Sequence, residues 1–126
     1  MKRIALFLDS NIRASNPIGV ILESSQSTGL EVNIYDEVVC EPNTTSCMAA
    51  ADFVKQGDYD GIVSIGGGSV MDTAKAANLL SCHGGRILDY VNAPIGLAKK
   101  IPGRLLPHIA CPTTSGTGAE TTGIVV

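Results

Sequence analysis

The sequence predicts an α/β protein with a Rossmann-like parallel sheet and helices on both of its faces. Apolar, strand-like runs alternate with helix-like segments along the whole chain. The strand-like runs are almost continuously apolar, which is typical of strands buried on both faces of a parallel sheet. The length of 126 residues corresponds to about one domain, and its 14 glycines are expected to lie at a few tight turns.

The first half of the chain contains two strand–helix pairs. Residues 4–8 form a short apolar run closed by polar residues, which predicts a buried strand that ends in a turn. Residues 15–28 show helical spacing of apolar side chains, with a proline in the first turn and a glycine after the last. A second strand is predicted at 32–35. A second helix opens at 42–44 and ends at Gly57.

The second half begins with a third strand at 62–65, which runs directly into a glycine-rich turn and a third helix. This helix is rich in alanine, a strong helix former, and ends at the glycines of residues 83–85. The remaining predicted elements are a helical turn at 87–91, a proline-containing surface excursion over 92–107, a fourth strand at 108–111 and the start of another strand at 123–126.

Composition and charge exclude several classes of partner. The net charge is −3, which argues against a nucleic acid or an anionic membrane held by a basic face. Aromatic residues make up 4% of the chain, too few for a base-stacking platform. Apolar runs are shorter than the ~18 residues of a membrane span, and the run before Asp9 is too short for a signal peptide. A cytoplasmic location is predicted, with the mitochondrial matrix as the alternative.

The cysteines and histidines give no metal-binding pattern, because their spacings match no zinc signature. Each cysteine lies in or beside an apolar run, so buried or half-buried reduced thiols are expected at Cys40, Cys47, Cys82 and Cys111. A loop or surface role is expected for His83 and His108, which are far apart in sequence.

Residues 66–69 read Gly-Gly-Gly-Ser and join a buried strand to a helix. Glycines allow a close backbone approach, and a helix N-terminus offers unpaired N–H groups that favour an anion. A phosphate or pyrophosphate therefore fits this turn. The alternative is a tight turn in which Ser69 and Asp72 form a capping box, and both interpretations can hold together. The motif is neither G-x-G-x-x-G nor a P-loop, which makes NTP hydrolysis unexpected.

Residues 112–120 place four hydroxyl side chains and two glycines directly after a strand. Such a segment can hydrogen-bond phosphate oxygens, ribose hydroxyls or a carboxamide. The alternative is a hydroxyl-rich turn that caps a short helix, with Glu120 near its first turn. A nucleophilic hydroxyl is disfavoured because the segment has no nearby histidine to act as its base.

Asp9 ends the first predicted strand and so faces the same edge of the sheet. A carboxylate there can accept hydrogen bonds from a ribose diol and repel a 2′-phosphate, which favours NAD over NADP. Taken alone, Asp9 is better explained as an Asx turn or a cap for the next helix. Asp72 and Lys75 are spaced for an i, i+3 ion pair, and residues 36–37 are expected to be solvated turn residues.

Two of these segments resemble a known family. Residues 66–75 read G-G-G-S-V-M-D-T-A-K and residues 112–120 read P-T-T-S-G-T-G-A-E. They are similar to the two signatures of the iron-containing (group III) alcohol dehydrogenases, with Ala119 where serine is usual. Residues 89–96 and 120–123 look most like the hydroxyacid-oxoacid transhydrogenase branch.

The resemblance implies a dehydroquinate synthase-like fold, in which an N-terminal α/β domain binds NAD and a helical C-terminal domain binds iron or another divalent metal. The family's nucleotide-binding residues carry over as Asp9 at the ribose, Gly66, Gly67, Gly68 and Ser69 at the pyrophosphate, Thr113, Thr114 and Thr117 along the nucleotide, and Asp72 near the nicotinamide side.

The resemblance further implies that residues 1–126 are a truncated NAD-binding domain without the helical metal-binding domain. The family's metal ligands, one Asp and three His, have no counterparts here. The predicted function is the cofactor-binding part of an iron-dependent, NAD-linked dehydrogenase that moves a hydride between NAD and a small alcohol or a 4-hydroxybutyrate-like hydroxyacid. The chain alone is expected to be inactive, and a homo-oligomer is expected. The alternatives are a non-catalytic nucleotide- or phosphate-binding module and a fragment without function.

Overall fold

The computed structural model describes residues 1–123, and its elements agree closely with the alternation in the sequence. In chain order they are β1 (Arg3–Leu8), α1 (Ser10–Arg13), α2 (Asn16–Ser27), β2 (Glu31–Tyr35), α3 (Thr44–Gly57), β3 (Gly61–Gly66), α4 (Gly68–His83), α5 (Ile87–Tyr90) and β4 (His108–Pro112). The strand predicted at 123–126 has residues 124–126 outside the described range. The one-turn helix α1 was not predicted, since four residues are too few to show a period.

The strands form a parallel sheet in the order β2-β1-β3-β4. Leu6 of β1 lies opposite Ile34 of β2 and Val63 of β3. Because all four strands run in the same direction, their carboxyl ends meet at one edge. The predicted fold class is confirmed, and this shared edge brings the polar loops of the chain together.

Helices cover both faces of the sheet, as predicted. On one face Leu6 and Leu8 form a buried cluster with Ile18 of α2. On the other face Ala5 and Phe7 pack in a cluster that includes residues of α3 and α4. The alternation along β1 sends successive side chains to opposite faces, so a single strand anchors both layers.

Helix α4 is the most deeply buried helix of the described residues. Nine of its residues are buried, Val70, Met71, Asp72, Thr73, Ala74, Ala76, Ala77, Asn78 and Leu80. Its alanines allow α3 and the sheet to approach closely. In the described residues, every helix is too short or too polar to cross a lipid bilayer.

The prediction for the cysteines is wrong at three of four positions. Cys47 is buried on α3, whereas Cys40, Cys82 and Cys111 are exposed. Cys40 lies in the loop after β2, and Cys111 lies on β4, which is an edge strand of the four-stranded sheet. A neighbouring apolar run therefore did not guarantee burial.

Candidate nucleotide-binding site

The turn between β3 and α4 is shaped by close packing at Gly66. A Cβ built on Gly66 would lie 2.5 Å from Cγ2 of Val70, a distance that real Cβ atoms do not tolerate. Gly66 is buried and ends β3, so its absent side chain lets the first turn of α4 fold back onto the strand. The local sequence therefore forces α4 to start directly at the edge of the sheet.

The N-terminus of α4 is open to a ligand. Gly67 is the N-cap, and no side chain caps the helix there. The capping box proposed between Ser69 and Asp72 is wrong, because the helix begins at Gly68 and Ser69 lies within its first turn. The amides of Gly68, Ser69 and Val70 have no intrahelical acceptor. A helix of 16 residues adds its dipole, so this end favours a negatively charged group.

The threonine-rich loop after β4 packs directly against this turn. The Thr113 amide donates a hydrogen bond of 2.9 Å to the carbonyl of Gly66. A Cβ on Gly67 would lie 3.2 Å from Thr114 Oγ1. A Cβ on Gly68 would lie 3.1 Å from Cγ2 of Thr117. The two motifs are thus in contact, and the glycines leave the space that a threonine side chain or a ligand occupies.

The short helix of the alternative interpretation is absent from the described residues after the threonines. Residues 113–123 form turns and bends. Thr117 Oγ1 accepts a hydrogen bond of 3.3 Å from the Ala119 amide, and Thr121 donates through both its amide and its hydroxyl to the carbonyl of Gly118. These local bonds shape the loop and leave the hydroxyls of Thr113 and Thr114 exposed at the sheet edge.

A cleft of about 420 Å³ opens where these loops meet. This volume is in the range of cofactor-binding sites. Predicted site residues in its lining are Asp9, Gly67, Gly68, Ser69, Thr113 and Thr114. Three segments that are far apart in the sequence, and that were singled out for separate chemical reasons, therefore form one cavity at the carboxyl edge of the sheet.

Three predicted site residues do not line this cleft. Gly66 lies beneath Val70, and Thr117 stands behind Gly68. Asp72 is buried with 7% of its surface exposed, and the ammonium of Lys75 donates to its Oδ1 at 3.2 Å. The predicted i, i+3 pair is confirmed. The nucleotide contacts proposed for Gly66, Asp72 and Thr117 stay predictions.

Asp9 has a structural role in addition to its place in the cleft. Its Oδ1 accepts a hydrogen bond of 2.8 Å from the Ile12 amide, which makes it the N-cap of α1. The interpretation as a helix cap is confirmed. The cap uses one carboxylate oxygen, and the residue also lines the cleft, so a contact with a ribose is compatible with the cap.

Sequence reasoning missed one wall of the cleft. Residues 38–40, after β2, line it together with Ser10, Asn11 and Val70. Two of the residues after β2 are valines, so this wall is largely apolar and suits a flat ring such as a nucleobase. The signal that could have found it is positional. The carboxyl end of β2 lies beside that of β1 once the strand order is known.

The histidines hold structural contacts. His108 is half-buried, and its Nε2 lies 2.8 Å from the hydroxyl of Ser64. Burial, followed by the positive charge of Lys75, lowers the pKa of His108 below its usual value. His83 Nε2 is 3.0 Å from the Arg104 carbonyl. Within residues 1–123 no three His, Cys, Asp or Glu side chains are grouped to hold a metal ion, so these residues do not fit a metal centre.

A family model described as "Iron-containing alcohol dehydrogenase" matches residues 1–126. A curated relative, the mitochondrial hydroxyacid-oxoacid transhydrogenase of Rattus norvegicus, is 46% identical over 126 residues. That match covers 99% of this chain and 27% of the rat protein, so the chain spans about a quarter of the length of this relative.

Solved structures share the fold. An alcohol dehydrogenase from Oenococcus oeni superposes with a TM-score of 0.83 at 27% identity, over 95% of this chain and 30% of that one. A sulfoacetaldehyde reductase from Bifidobacterium kashiwanohense, solved in complex with NAD+, gives a TM-score of 0.77 at 28% identity, over 99% of this chain and 31% of that one.

Proposed function

We propose, from the premise that this chain belongs to the iron-containing alcohol dehydrogenase family, that residues 1–126 form an NAD-binding domain of such an enzyme. The observation that supports this most strongly is the cleft between the glycine turn and the threonine loop. It combines unpaired helix amides, exposed hydroxyls and an apolar wall in one cavity. These are the groups that a pyrophosphate, a ribose and a nucleobase require.

The pyrophosphate is assigned to the turn at Gly67, where the amides of Gly68 and Ser69 have no intrahelical acceptor. Each amide can donate one hydrogen bond to a phosphate oxygen, and the α4 dipole stabilises the negative charge. The hydroxyls of Thr113 and Thr114 face the same space and donate to the remaining oxygens. No lysine or arginine lines the cleft, so in the described residues binding would rest on backbone dipoles and hydroxyls.

The adenosine half is assigned to the side of the cleft between β1 and β2. Asp9 accepts hydrogen bonds from the ribose diol, and the valines of residues 38–40 contact the base. The nicotinamide then extends toward the threonine loop and α4. Gly66, Thr117 and Asp72 support that side from behind the cleft, Asp72 through its pair with Lys75.

The complete activity proposed for the family member is hydride transfer between NAD and a small alcohol or a 4-hydroxybutyrate-like hydroxyacid. A bound divalent metal would supply Lewis-acid polarisation of the substrate oxygen. Residues 1–123 do not group the ligands for it. The role of this chain is therefore to bind and orient the nucleotide, and we expect no turnover from it alone. A mitochondrial location follows the named relative, and a homo-oligomer is the expected assembly.

Calorimetric titration of the chain with NAD, NADP, AMP and inorganic phosphate tests this proposal. We expect NAD to bind more tightly than NADP. Gly68→Val should weaken NAD binding at least about tenfold, because the added side chain presses on Thr117 and blocks the phosphate. Gly19→Val is the matched control, since a Cβ at Gly19 meets nothing within 4 Å.

Three results would contradict the proposal. Equal affinity for phosphate, AMP and NAD would indicate the alternative, a general phosphate-binding module. Failure of the chain to bind any nucleotide while it remains folded would indicate a fragment without function. Reduction of NAD by this chain with added iron and 4-hydroxybutyrate would show that the chain catalyses turnover and does more than bind the nucleotide.

A further inference from the structure

The side of the cleft between β1 and β2 is bridged by an ion pair that lies just outside the lining. Arg13 Nη1 donates to Asp36 Oδ2. Arg13 follows the cleft-lining residues 9–11 by two positions, and Asp36 precedes the lining residues 38–40 by two positions. The pair therefore joins the two chain segments that form this wall.

Arg13 is within reach of the place assigned to the ribose. Asp9 is the N-cap of α1 and Arg13 is its last residue, so the two side chains are separated by four positions across one helical turn. The Arg13 amide donates to the Asp9 carbonyl at 3.1 Å, so the two residues lie one helical turn apart. An arginine side chain that turned from Asp36 toward Asp9 would bring its guanidinium to the ribose edge.

A guanidinium at the ribose edge is the group that recognises a 2′-phosphate. It binds phosphate through paired, charge-assisted hydrogen bonds, and it is the usual means of accepting NADP. In this structure that guanidinium is already bound to a carboxylate. With Asp9 and Asp36 both ionised, the three charges at this wall sum to −1, which repels a phosphate dianion.

We propose that Asp36 is a specificity-determining residue that excludes NADP by holding Arg13 away from the 2′ position, an inference that rests on the proposed NAD-binding function. Asp9 opposes the 2′-phosphate by its own charge, whereas Asp36 acts by pairing with the guanidinium of Arg13 beside this wall. The chain thus carries an arginine suited to NADP and keeps it bound to an internal acceptor.

The pair can be broken without loss of the fold. The side chains of Arg13 and Asp36 are 53% and 27% exposed, so solvent screens their attraction and the pair contributes little to stability. A second ion pair offers a matched control. Arg3 Nη2 donates to Glu31 Oε1 at 3.0 Å, and this pair joins β1 and β2 at their amino ends, far from the cleft.

The test is a titration of wild type, Asp36→Asn, Asp36→Asn/Arg13→Gln and Glu31→Gln with NAD and NADP. We expect Asp36→Asn to shift the affinity ratio toward NADP by about tenfold, with a steeper salt dependence, because a freed guanidinium pairs with the phosphate. The double variant should return to the wild-type ratio, and Glu31→Gln should not depart from it. Asp36→Ser is a second variant in case the asparagine substitution affects folding.

The inference would be overturned if neither Asp36 variant changed the ratio of NADP to NAD affinity. It would also be overturned if the gain in NADP affinity persisted in the double variant. Failure of the proposed function has a different signature, in which wild type does not bind NAD. Adenosine 2′,5′-bisphosphate and 5′-AMP then serve as probes. Preference of Asp36→Asn for the bisphosphate, lost in the double variant, would still support the role of Asp36, and no such preference would reject it.

Discussion

The glycine turn after β3 and the excursion over residues 92–107 are held in place by different forces. The turn is fixed by apolar packing, with Gly66 pressed under a buried Val70. The excursion exposes large apolar side chains, Ile95 at 78% and Leu97 at 63%. It is held mainly by hydrogen bonds to helices α4 and α5.

Those hydrogen bonds are specific. The Asn78 amide group donates to the Leu106 carbonyl at 2.9 Å, and Asn78 Oδ1 accepts from the Leu106 amide at 3.0 Å. The Lys99 amide donates to the carbonyl of Asp89 at 2.8 Å. The cleft is therefore built on the packed core, whereas the excursion is a surface segment held largely by a few hydrogen bonds. Substitutions should therefore separate the two regions.

The largest effect is expected in the core beneath the cleft. Phe7→Ala should lower the free energy of unfolding by about 3–5 kcal/mol, since a fully buried aromatic ring is replaced by a cavity. Urea denaturation followed by circular dichroism measures this. Ile95→Ala, on the excursion, should change stability by less than about 0.5 kcal/mol. Similar losses for the two variants would mean that the excursion is packed as firmly as the core.

A smaller effect is expected at the polar tie of the excursion. Asn78→Ala should lower the free energy of unfolding by about 1–3 kcal/mol, because two hydrogen bonds to Leu106 are lost from a buried side chain. Hydrogen exchange should show faster exchange of the Leu106 amide.

Asn33→Ala is the control for this tie, since Asn33 bonds the side chain of Glu31 in an exposed pair at 3.2 Å. If Asn78→Ala left the hydrogen-exchange rate of the Leu106 amide unchanged, strand pairing alone would hold the start of β4.

The smallest expected effect is a pH dependence at the start of β4. The pKa of His108 is lowered in the folded state by burial and by Lys75. The unfolded chain then binds the proton more readily, so this contribution to stability is complete above the usual histidine pKa of about 6.5 and is lost as the pH falls below it. The melting temperature should drop from pH 7.5 to pH 5, and His108→Gln should reduce that drop. An identical pH profile in the variant would assign the loss to other groups.

The sequence predicts the fold well because its signals are local. Continuous apolar runs and glycine at helix ends mark the strands and helices, and the parallel sheet follows from their alternation. Asp9, Ser69 and Thr113 were found as cleft residues because each follows a strand and carries a group that binds polar ligands.

The remaining parts of the site depend on tertiary contacts. Val38 and Val39 carry no distinctive chemistry, and they reach the cleft only because β2 lies next to β1. Asp36, expected as a solvated turn residue, is paired with Arg13 for the same reason. The helix cap at Gly67 displaced the predicted Ser69–Asp72 box because the packing of Val70 on Gly66 starts the helix earlier.

Gly66 has a consequence for how affinity in this cleft can change. Because Gly66 has no side chain, the first turn of α4 can pack against it. Its carbonyl accepts a hydrogen bond from the Thr113 amide of the opposite loop. One backbone unit thus sets the separation between the two loops that line the cleft. A substitution that moves the Gly66 backbone would displace both loops together. A change in the binding affinity of the cleft is therefore expected to require paired substitutions, one in the glycine motif and one in the threonine loop.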